Sequence, residues 1–103
     1  MIVRAKICEI VYAQVRKIPS GKVTTYKQIA LATGMSPRVV GNALHLNPHD
    51  DVPCHRVVNV AGRIVPSFGL GGPGEQRKRL EAEGVTFKNE KHVDLKEHFF
   101  EVK

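Results

Sequence analysis

Two helix start signals separated by one stop signal constrain the fold of this chain most tightly. Thr24 or Thr25 is suited to cap a helix over Tyr26–Ala32, because a threonine hydroxyl accepts a hydrogen bond from the first helical turn. Gly34 then ends that helix, since glycine adopts the left-handed conformation of a helix C-terminus without strain. This segment therefore predicts one short helix with defined ends.

The second start signal follows directly. Ser36 is a good N-cap and Pro37 suits the first helical position, which predicts a helix over Arg38–Leu46. Its packed face consists of four apolar residues: Val39, Val40, Ala43 and Leu44. Two short helices joined by the turn Thr33–Ser36 predict a helix-turn-helix with Arg38 near the start of its second helix. Many small bundles contain such a pair without binding DNA, so the motif alone assigns no function.

The rest of the chain predicts further helices and a small wing. An apolar stripe at spacings of three and four predicts an amphipathic helix over Ile2–Ile18, and another helix is expected over Glu75–Glu83. Residues 57–60 and 63–65 flank Ala61-Gly62 and predict a short β-hairpin. Pro66–Gly74 is expected to be a loop. The expected fold is mainly α with a small β-hairpin, a winged helix-turn-helix-like domain over residues 1–103.

Charge is distributed unevenly along the chain. The 103 residues carry a net charge of +6, with nine Lys/Arg against three Asp/Glu in residues 1–74 and seven of each in residues 75–103. One basic region is the electrostatic pattern expected of a nucleic-acid-binding domain. A solvated basic surface without a partner is the alternative.

The number of cysteines and the lack of long apolar segments indicate the cellular compartment in which we expect the protein. Cys8 and Cys54 are too few for a disulfide framework, and no signal peptide or membrane span is recognisable. We therefore expect a reduced, cytoplasmic protein without membrane contact. Cys8 has no histidine near it in sequence and is expected to be a packing residue or half-exposed.

The run Pro53–Val57, Pro-Cys-His-Arg-Val, holds the most reactive combination of side chains. Cys54 is followed by His55 and Arg56, and a neighbouring cation lowers the pKa of a thiol and makes the nucleophilic thiolate available. The alternative is a buried structural cysteine with incidental neighbours.

A metal-binding or transcription module is a second alternative. His45, His49, Cys54 and His55 are of ligand type and close in sequence. Zinc needs four ligands that converge on one point, and adjacent residues rarely reach the same ion. We expect neither a metal nor a cofactor.

An ordered set of motifs resembles the DNA-binding domain of the O6-alkylguanine-DNA alkyltransferases over about Ile7–Val85. The set consists of Tyr26, Arg38, Asn47-Pro48, Pro53–Val57, Gly71-Gly72 and Glu83-Gly84. The resemblance implies that a damaged guanine is rotated out of the duplex and that a cysteine removes its alkyl group irreversibly. Each molecule would then act once, as a monomer on double-stranded DNA containing O6-alkylguanine.

The resemblance also implies a role for each residue of the site. Cys54 would accept the alkyl group, and His55 would deprotonate it through a water. Glu83 would orient His55, and Asn47 would order the active-site turn. Tyr26 would lie near the extruded base and help to protonate or orient the departing guanine.

DNA contacts are implied in the same way. Arg38 would fill the gap left in the base stack, which offsets part of the cost of extrusion. The family's helix enters the minor groove and reads shape rather than sequence. The contacts to backbone and lesion would involve Lys22, Lys27, Arg63, Gly71 and Gly72.

The chain departs from the family pattern in two ways. Because the sequence starts at the DNA-binding domain, we expect a protein without the N-terminal domain of many members, and Phe68 stands where we expect a tyrosine. Its size and tail resemble the alkyltransferase-like proteins, which bind alkylated DNA without repair and pass the lesion to excision-repair proteins. Those proteins have Trp or Ala in place of the cysteine. Because Cys54 is present, we expect transfer, with the lesion sensor as the alternative.

Overall fold

The structure is a computed structural model and describes residues 4–64 and 74–102. Within these residues the elements are α1 (Arg4–Val15), β1 (Thr24–Thr25), α2 (Tyr26–Thr33), α3 (Pro37–His45), a 3-10 turn (Cys54–Arg56), β2 (Val57–Val58), α4 (Glu75–Ala82) and α5 (Leu95–His98). Among the described helices, none has the length and apolar character that a membrane span requires. The predicted loop Pro66–Gly74 lies outside the described residues except for Gly74.

The predicted helix-turn-helix is confirmed by α2 and α3. Thr25 caps α2, because its hydroxyl accepts a hydrogen bond of 3.1 Å from the amide of Gln28. Gly34 ends α2 with a φ of 75°, in the left-handed region that glycine favours. Ser36 caps α3 through a 3.2 Å bond from the amide of Val39. Local sequence signals therefore determined both helices.

Helix α1 is shorter than the predicted Ile2–Ile18. It ends at Val15, and residues 1–3 lie outside the described part of the chain. The amide of Lys17 bonds to the carbonyl of Gln14, and that of Ile18 to Val15, both at 3.1 Å. These bonds reach only three residues back, so the helix tightens before Pro19 instead of continuing. Ile18 is nevertheless buried.

The predicted hairpin is wrong in its pairing. Strand β2 pairs with β1 in parallel, with Thr24 opposite Val57 and Thr25 opposite Val58. All four residues are buried, and a buried strand must satisfy its backbone groups inside the protein. The partner of β2 is β1, which lies about thirty residues earlier in the sequence. Hydrophobic alternation and turn residues are local signals and cannot reveal such a distant partner.

The chain does reverse after β2, as the wing requires. The amide of Asn59 bonds to the carbonyl of Arg63 at 3.1 Å, and its side chain accepts bonds from the amides of Ala61 and Arg63. The second arm then pairs with residues 91–93 instead of with β2: Arg63 forms an antiparallel bridge with His92. Val65, the last residue of the predicted hairpin, lies outside the described residues.

The 3-10 turn Cys54–Arg56, called the active-site turn because it holds the candidate nucleophile Cys54, lies where two buried clusters meet. The first cluster joins α1, α2 and α3 and includes Cys54 and Val57. The second cluster contains Val23, Val58, Leu80, Val85 and Val93. The C-terminal segment closes the second cluster, because His98 and Phe100 exchange backbone bonds of 2.9 and 2.7 Å with Val23. The turn is thus packed from the helix-turn-helix side and from the α4 side.

Candidate active site

The thiol of Cys54 is held at a fixed point by the backbone around it. The amide of Cys54 bonds to the carbonyl of Val52 at 2.8 Å, and the amide of Arg56 bonds to the carbonyl of Pro53 at 2.9 Å. Cys54 is 9% exposed and belongs to the core cluster of the three N-terminal helices. The alternative of a buried cysteine is therefore correct about burial, and the polar contacts of the thiol decide whether it is more than structural.

Two polar contacts reach the sulfur. The side-chain amide of Asn47 donates to Sγ of Cys54 at 3.1 Å, and Sγ itself lies 3.8 Å from the carbonyl oxygen of Leu44. Burial raises the pKa of Cys54, while the Asn47 hydrogen bond lowers it in part. The donor from Asn47 favours the thiolate, and the carbonyl of Leu44 favours the protonated thiol.

Asn47 also shapes the loop that leads to the cysteine. Its Nδ2 donates to the carbonyl of His49 at 3.0 Å, and its Oδ1 accepts from the amide of His49 at 2.9 Å. One side chain therefore closes the turn and touches the thiol. These are the contacts that an ordering role for Asn47 requires.

Glu83 binds both residues that follow the cysteine. Its Oε2 accepts from Nε2 of His55 at 3.0 Å and from a terminal nitrogen of Arg56 at 2.6 Å, and its Oε1 accepts from Nε of Arg56 at 3.0 Å. Burial alone would raise the pKa of Glu83, but the hydrogen bonds from Arg56 and His55 outweigh burial and hold it below its usual value. Glu83 is thus ionised at neutral pH.

The ionised carboxylate fixes the proton on His55. Burial lowers the pKa of His55, and the attraction of Glu83 offsets this only in part, so the imidazole is neutral at neutral pH. An ionised carboxylate only accepts hydrogen bonds, so the proton of the neutral ring must lie on Nε2. Nδ1 then carries the lone pair of the neutral ring, which is the requirement for a base.

The cations that act on the thiol differ from the sequence expectation. Arg56 is bound to Glu83 and to the carbonyl of Ile18 at 2.7 Å, and His55 is neutral. The charge that lowers the pKa of Cys54 belongs instead to Arg79. The sequence thus indicated the adjacent His55 and Arg56 as the cations that lower this pKa, whereas in the structure the cation is Arg79 of α4.

Gln76 is a second residue that the sequence did not single out. Its side chain is 1% exposed, and its Nε2 donates to the carbonyls of His55 and Val57, each at 3.1 Å. It therefore clamps the active-site turn to α4. A signal was present: Gln76 and Arg79 precede Glu83 by seven and four residues, which puts all three on one helix face.

Tyr26 and Arg38 meet at a largely apolar groove of about 750 Å³ between α2, α3 and the turn after β2. Leu31 and Val60 also line it and are 69% and 67% exposed. Burial raises the pKa of Tyr26 to about 12, and the nearby Cys54 contributes in the same direction. Tyr26 thus connects the groove with the thiol.

The remaining predicted DNA contacts are dispersed. Lys27 lines the same groove. Lys22 precedes β1 and Arg63 follows the turn after β2, and both are exposed. Gly71 and Gly72 lie outside the described residues.

The candidate metal ligands have other partners. Nε2 of His49 lies 3.1 Å from a carboxylate oxygen of Glu9, and Nε2 of His55 is bound to Glu83. His45 lines a different cavity, between α1 and α3. Among residues 4–64 and 74–102, no group of three or more His, Cys, Asp or Glu side chains could hold a metal ion.

The sequence of this chain matches one protein family and is similar to several known proteins. Residues 6–85 match the family model described as 6-O-methylguanine DNA methyltransferase, DNA binding domain. Alkyltransferase-like protein 1 of Schizosaccharomyces pombe is 47% identical over 78 residues, which cover 73% of this chain and 72% of that protein. The methylated-DNA–protein-cysteine methyltransferase of Metallosphaera sedula is 48% identical over 83 residues, which cover 76% of this chain but 49% of that protein. This chain thus spans about half the length of the methyltransferases that it matches.

Solved structures show the same fold. Atl1 of Schizosaccharomyces pombe, in complex with damaged DNA containing O6-carboxymethylguanine, matches 97% of this chain and 98% of its own, with a TM-score of 0.83 and 37% identity. OGT of Mycobacterium tuberculosis in complex with DNA matches 74% of this chain and 48% of its own, with a TM-score of 0.65 and 35% identity. The expected winged helix-turn-helix-like fold class is confirmed.

Proposed function

This chain belongs to the O6-methylguanine-DNA methyltransferase family of DNA repair proteins, and from that premise we propose that it rotates an O6-alkylguanine out of duplex DNA and transfers the alkyl group irreversibly to Cys54. The reaction class is alkyl transfer from a guanine oxygen to a protein thiol. Each molecule acts once.

One observation carries the proposal: His55, which directly follows Cys54 in the chain, is a neutral histidine held by an ionised carboxylate. His55 donates to Glu83 at 3.0 Å, and Arg56 keeps Glu83 ionised. This is the arrangement of nucleophile, base and orienting group that activates serine and cysteine nucleophiles. A protein that only senses lesions needs a shaped pocket but no base beside a thiol.

The chemical step follows from these roles. The Cys54 proton passes through a water to Nδ1 of His55, and the sulfur attacks the alkyl carbon. The carbon–O6 bond breaks, its electron pair passes to guanine, and guanine takes up one proton. Tyr26, with a pKa of about 12, is a neutral hydroxyl that donates toward the departing base. The balance requires no metal or cofactor, and the thioether formed is stable, so the thiol is not regenerated.

The groove supplies the binding half of the function. Its apolar walls suit an extruded base, and Arg38 at the rim takes the vacated place in the base stack. Lys22, Lys27 and Arg63 contact phosphates, which makes binding strongly dependent on salt. Contact through the minor groove reads shape and lesion, so no preferred undamaged sequence is expected.

A lesion sensor is the second candidate function. Two observations favour it: the match to Atl1 covers nearly the whole chain, and burial raises the pKa of Cys54. In this role the protein would hold O6-alkylguanine DNA without reaction and recruit excision-repair proteins.

Intact-mass measurement distinguishes the two functions. The protein is incubated with duplex DNA containing O6-methylguanine, without metal or cofactor, and its mass is followed at increasing DNA ratios. Transfer predicts that one methyl group is gained per molecule and that the gain stops at one equivalent. Unchanged mass with intact lesion binding would assign the sensor function.

A further inference from the structure

Gln76 holds two backbone carbonyls of the active-site region with one nitrogen atom. Its Nε2 donates to the carbonyl oxygens of His55 and Val57, each at 3.1 Å. A side-chain amide nitrogen carries two hydrogens, so it can form both bonds at once. The two carbonyls lie on either side of Arg56, where the active-site turn passes into β2. Gln76 therefore fixes the backbone of the candidate base itself.

Helix α4 thus reaches His55 at two points. Gln76, in the first turn of the helix, binds the backbone carbonyl, and Glu83, directly after its last residue, binds Nε2 of the imidazole at 3.0 Å. Seven residues separate the two, which corresponds to about 10 Å along a helix axis. The backbone and the ring of His55 are therefore both held from one regular element.

These contacts lie in a part of the protein from which water is largely excluded. Gln76 is 1% exposed, and the side chains of His55 and Glu83 are 13% and 17% exposed. A buried carbonyl that loses its donor is costly to leave unpaired, so removal of the amide favours a movement of the turn. Such a movement starts at the backbone of His55 and carries its ring with it.

We propose that Gln76 is a positioning residue for the base: by holding the backbone of His55, it sets the direction in which Nδ1 of the imidazole faces Cys54. This inference deepens the proposed alkyl transfer and rests on it. Gln76 acts through His55 and takes no part in the bonds that form or break. A glutamine amide does not titrate, so the proton balance of the chemical step is unchanged.

A small displacement at this position is enough to change the rate. The proton of Cys54 reaches Nδ1 through a water, so thiol, water and imidazole must be aligned at the same time. Displacement of a reacting group by about 1 Å can slow a reaction about a hundredfold. The bond from Glu83 fixes only one ring nitrogen of His55. The backbone point held by Gln76 limits the rotation of the ring about that bond.

The first test records the proton on Nε2 of His55 by NMR in protein with isotope-labelled histidine. Its resonance is assigned by its absence from His55→Gln. Gln76→Met keeps the length of the side chain and removes the donor. Gln28→Met is the matched control, because Gln28 is a half-buried glutamine of α2 that accepts a bond from the backbone amide of Val102 at 3.3 Å.

We expect a sharp resonance in the wild type and in Gln28→Met, because the proton is held between His55 and Glu83. In Gln76→Met it should broaden beyond detection or exchange with solvent at least about tenfold faster, since the ring is no longer held in one orientation. An unchanged resonance in folded Gln76→Met would overturn the inference. If circular dichroism shows that this variant does not fold, Gln76→Asn is measured in its place, because it keeps an amide that is one methylene too short to reach both carbonyls.

The second test is a double-mutant cycle on single-turnover methyl transfer. Gln76→Met should slow transfer about tenfold, while affinity for O6-methylguanine DNA stays within about twofold of the wild type. In a His55→Gln background the same change should slow transfer by less than about twofold, because the group that Gln76 positions is already absent. A glutamine with only a structural role would slow both proteins equally, and that result would contradict the inference.

The two tests keep this inference separate from the proposed function. The resonance of His55 requires neither DNA nor methyl transfer. If the wild type transfers no methyl group, the proposed transfer fails, and the resonance alone decides whether Gln76 positions His55.

Discussion

The two sides of Cys54 differ: polar groups on one side are paired by hydrogen bonds, whereas apolar side chains on the other side are exposed to solvent. On the α4 side, Glu83 accepts three hydrogen bonds from His55 and Arg56, and Gln76 donates two. On the groove side, Leu31 and Val60 stay more than two-thirds exposed. The hydrogen bonds on the α4 side are thus formed in the free protein, whereas apolar side chains on the groove side are exposed to solvent.

Under the proposed function, this difference assigns chemistry to the α4 side and lesion binding to the groove side. Groups that stabilise a reaction work best when they are oriented before the substrate arrives, and the network at Glu83 meets that condition. An exposed apolar groove becomes stabilising only when a ligand covers it, because its surface is then removed from water. Variants on the α4 side should therefore change chemistry more than affinity, and variants in the groove should do the reverse.

The largest expected effect comes from Cys54→Ser. A hydroxyl is far less acidic than a thiol, so the variant should transfer no methyl group. Its affinity for O6-methylguanine DNA should stay within about twofold of the wild type, because the groove is unchanged. The measurements are intact mass and fluorescence anisotropy. Loss of lesion binding would show that the thiol belongs to the binding surface, and it would contradict the assignment of binding to the groove side.

Glu83→Gln should have the next largest effect. The amide no longer fixes the proton on Nε2 of His55 and loses the charge that pairs with Arg56, so single-turnover transfer should slow about a hundredfold or more. Unfolding free energy should fall by about 2 kcal/mol, because Arg56 is left partly buried without its negatively charged partner. Rapid-quench kinetics and urea denaturation measure these two effects.

The matched control for that variant is Glu81→Gln. Glu81 is on the same helix and also pairs with an arginine, Arg77, but the pair is exposed. We expect wild-type transfer and less than about 0.5 kcal/mol of lost stability. Equal effects of the two glutamine variants would contradict the role of Glu83.

Arg38→Ala tests the groove side. If Arg38 replaces the extruded base in the stack, affinity for lesion DNA should fall by about 1–3 kcal/mol. Alkylation of Cys54 by iodoacetamide should not change, because Arg38 lines the groove and is not among the residues that contact the thiol. Arg77→Ala removes the same charge outside the groove and serves as the control in the anisotropy titration. An undiminished preference for the lesion would remove Arg38 from this role.

The smallest effect concerns stability against pH. Burial holds the pKa of His55 below its ordinary 6.5, so the unfolded chain takes up this proton first as the pH falls. Stability is therefore fully present above pH 6.5 and declines as the pH falls through the folded value. Urea denaturation at a series of pH values should show this decline in the wild type. His55→Gln should reduce it, and an unchanged slope would mean that His55 is not held neutral.

Local signals predicted the helix-turn-helix well. Thr25, Gly34 and Ser36 act within a few residues of themselves, and each has the cap or turn role that the sequence indicated. Tyr26 and Arg38 meet at the groove because both belong to this locally determined pair of helices. The family resemblance also singled out Asn47 and Glu83, and the structure shows their contacts to Cys54 and His55, while their roles stay predictions.

Contacts between distant segments account for what the sequence did not predict. Strand β2 takes β1 as its partner, and the arm after Asn59 takes residues 91–93, because burial and not turn chemistry selects those pairings. Gln76 contacts His55 and Val57 only through the packing of α4, and the same packing places Arg79 at a cavity that His55 also lines. Their importance could be inferred from helical spacing only after Glu83 had been assigned.

Transfer of an isotope-labelled methyl group is the most direct test of the central claim. Wild-type protein is incubated with duplex DNA carrying deuterated methyl on O6 of a single guanine, and its peptides are then sequenced by mass spectrometry. The account predicts one labelled methyl on the sulfur of Cys54, none on Cys8, and an equal amount of restored guanine in the DNA. Unlabelled Cys54 after saturating lesion DNA has bound would contradict it.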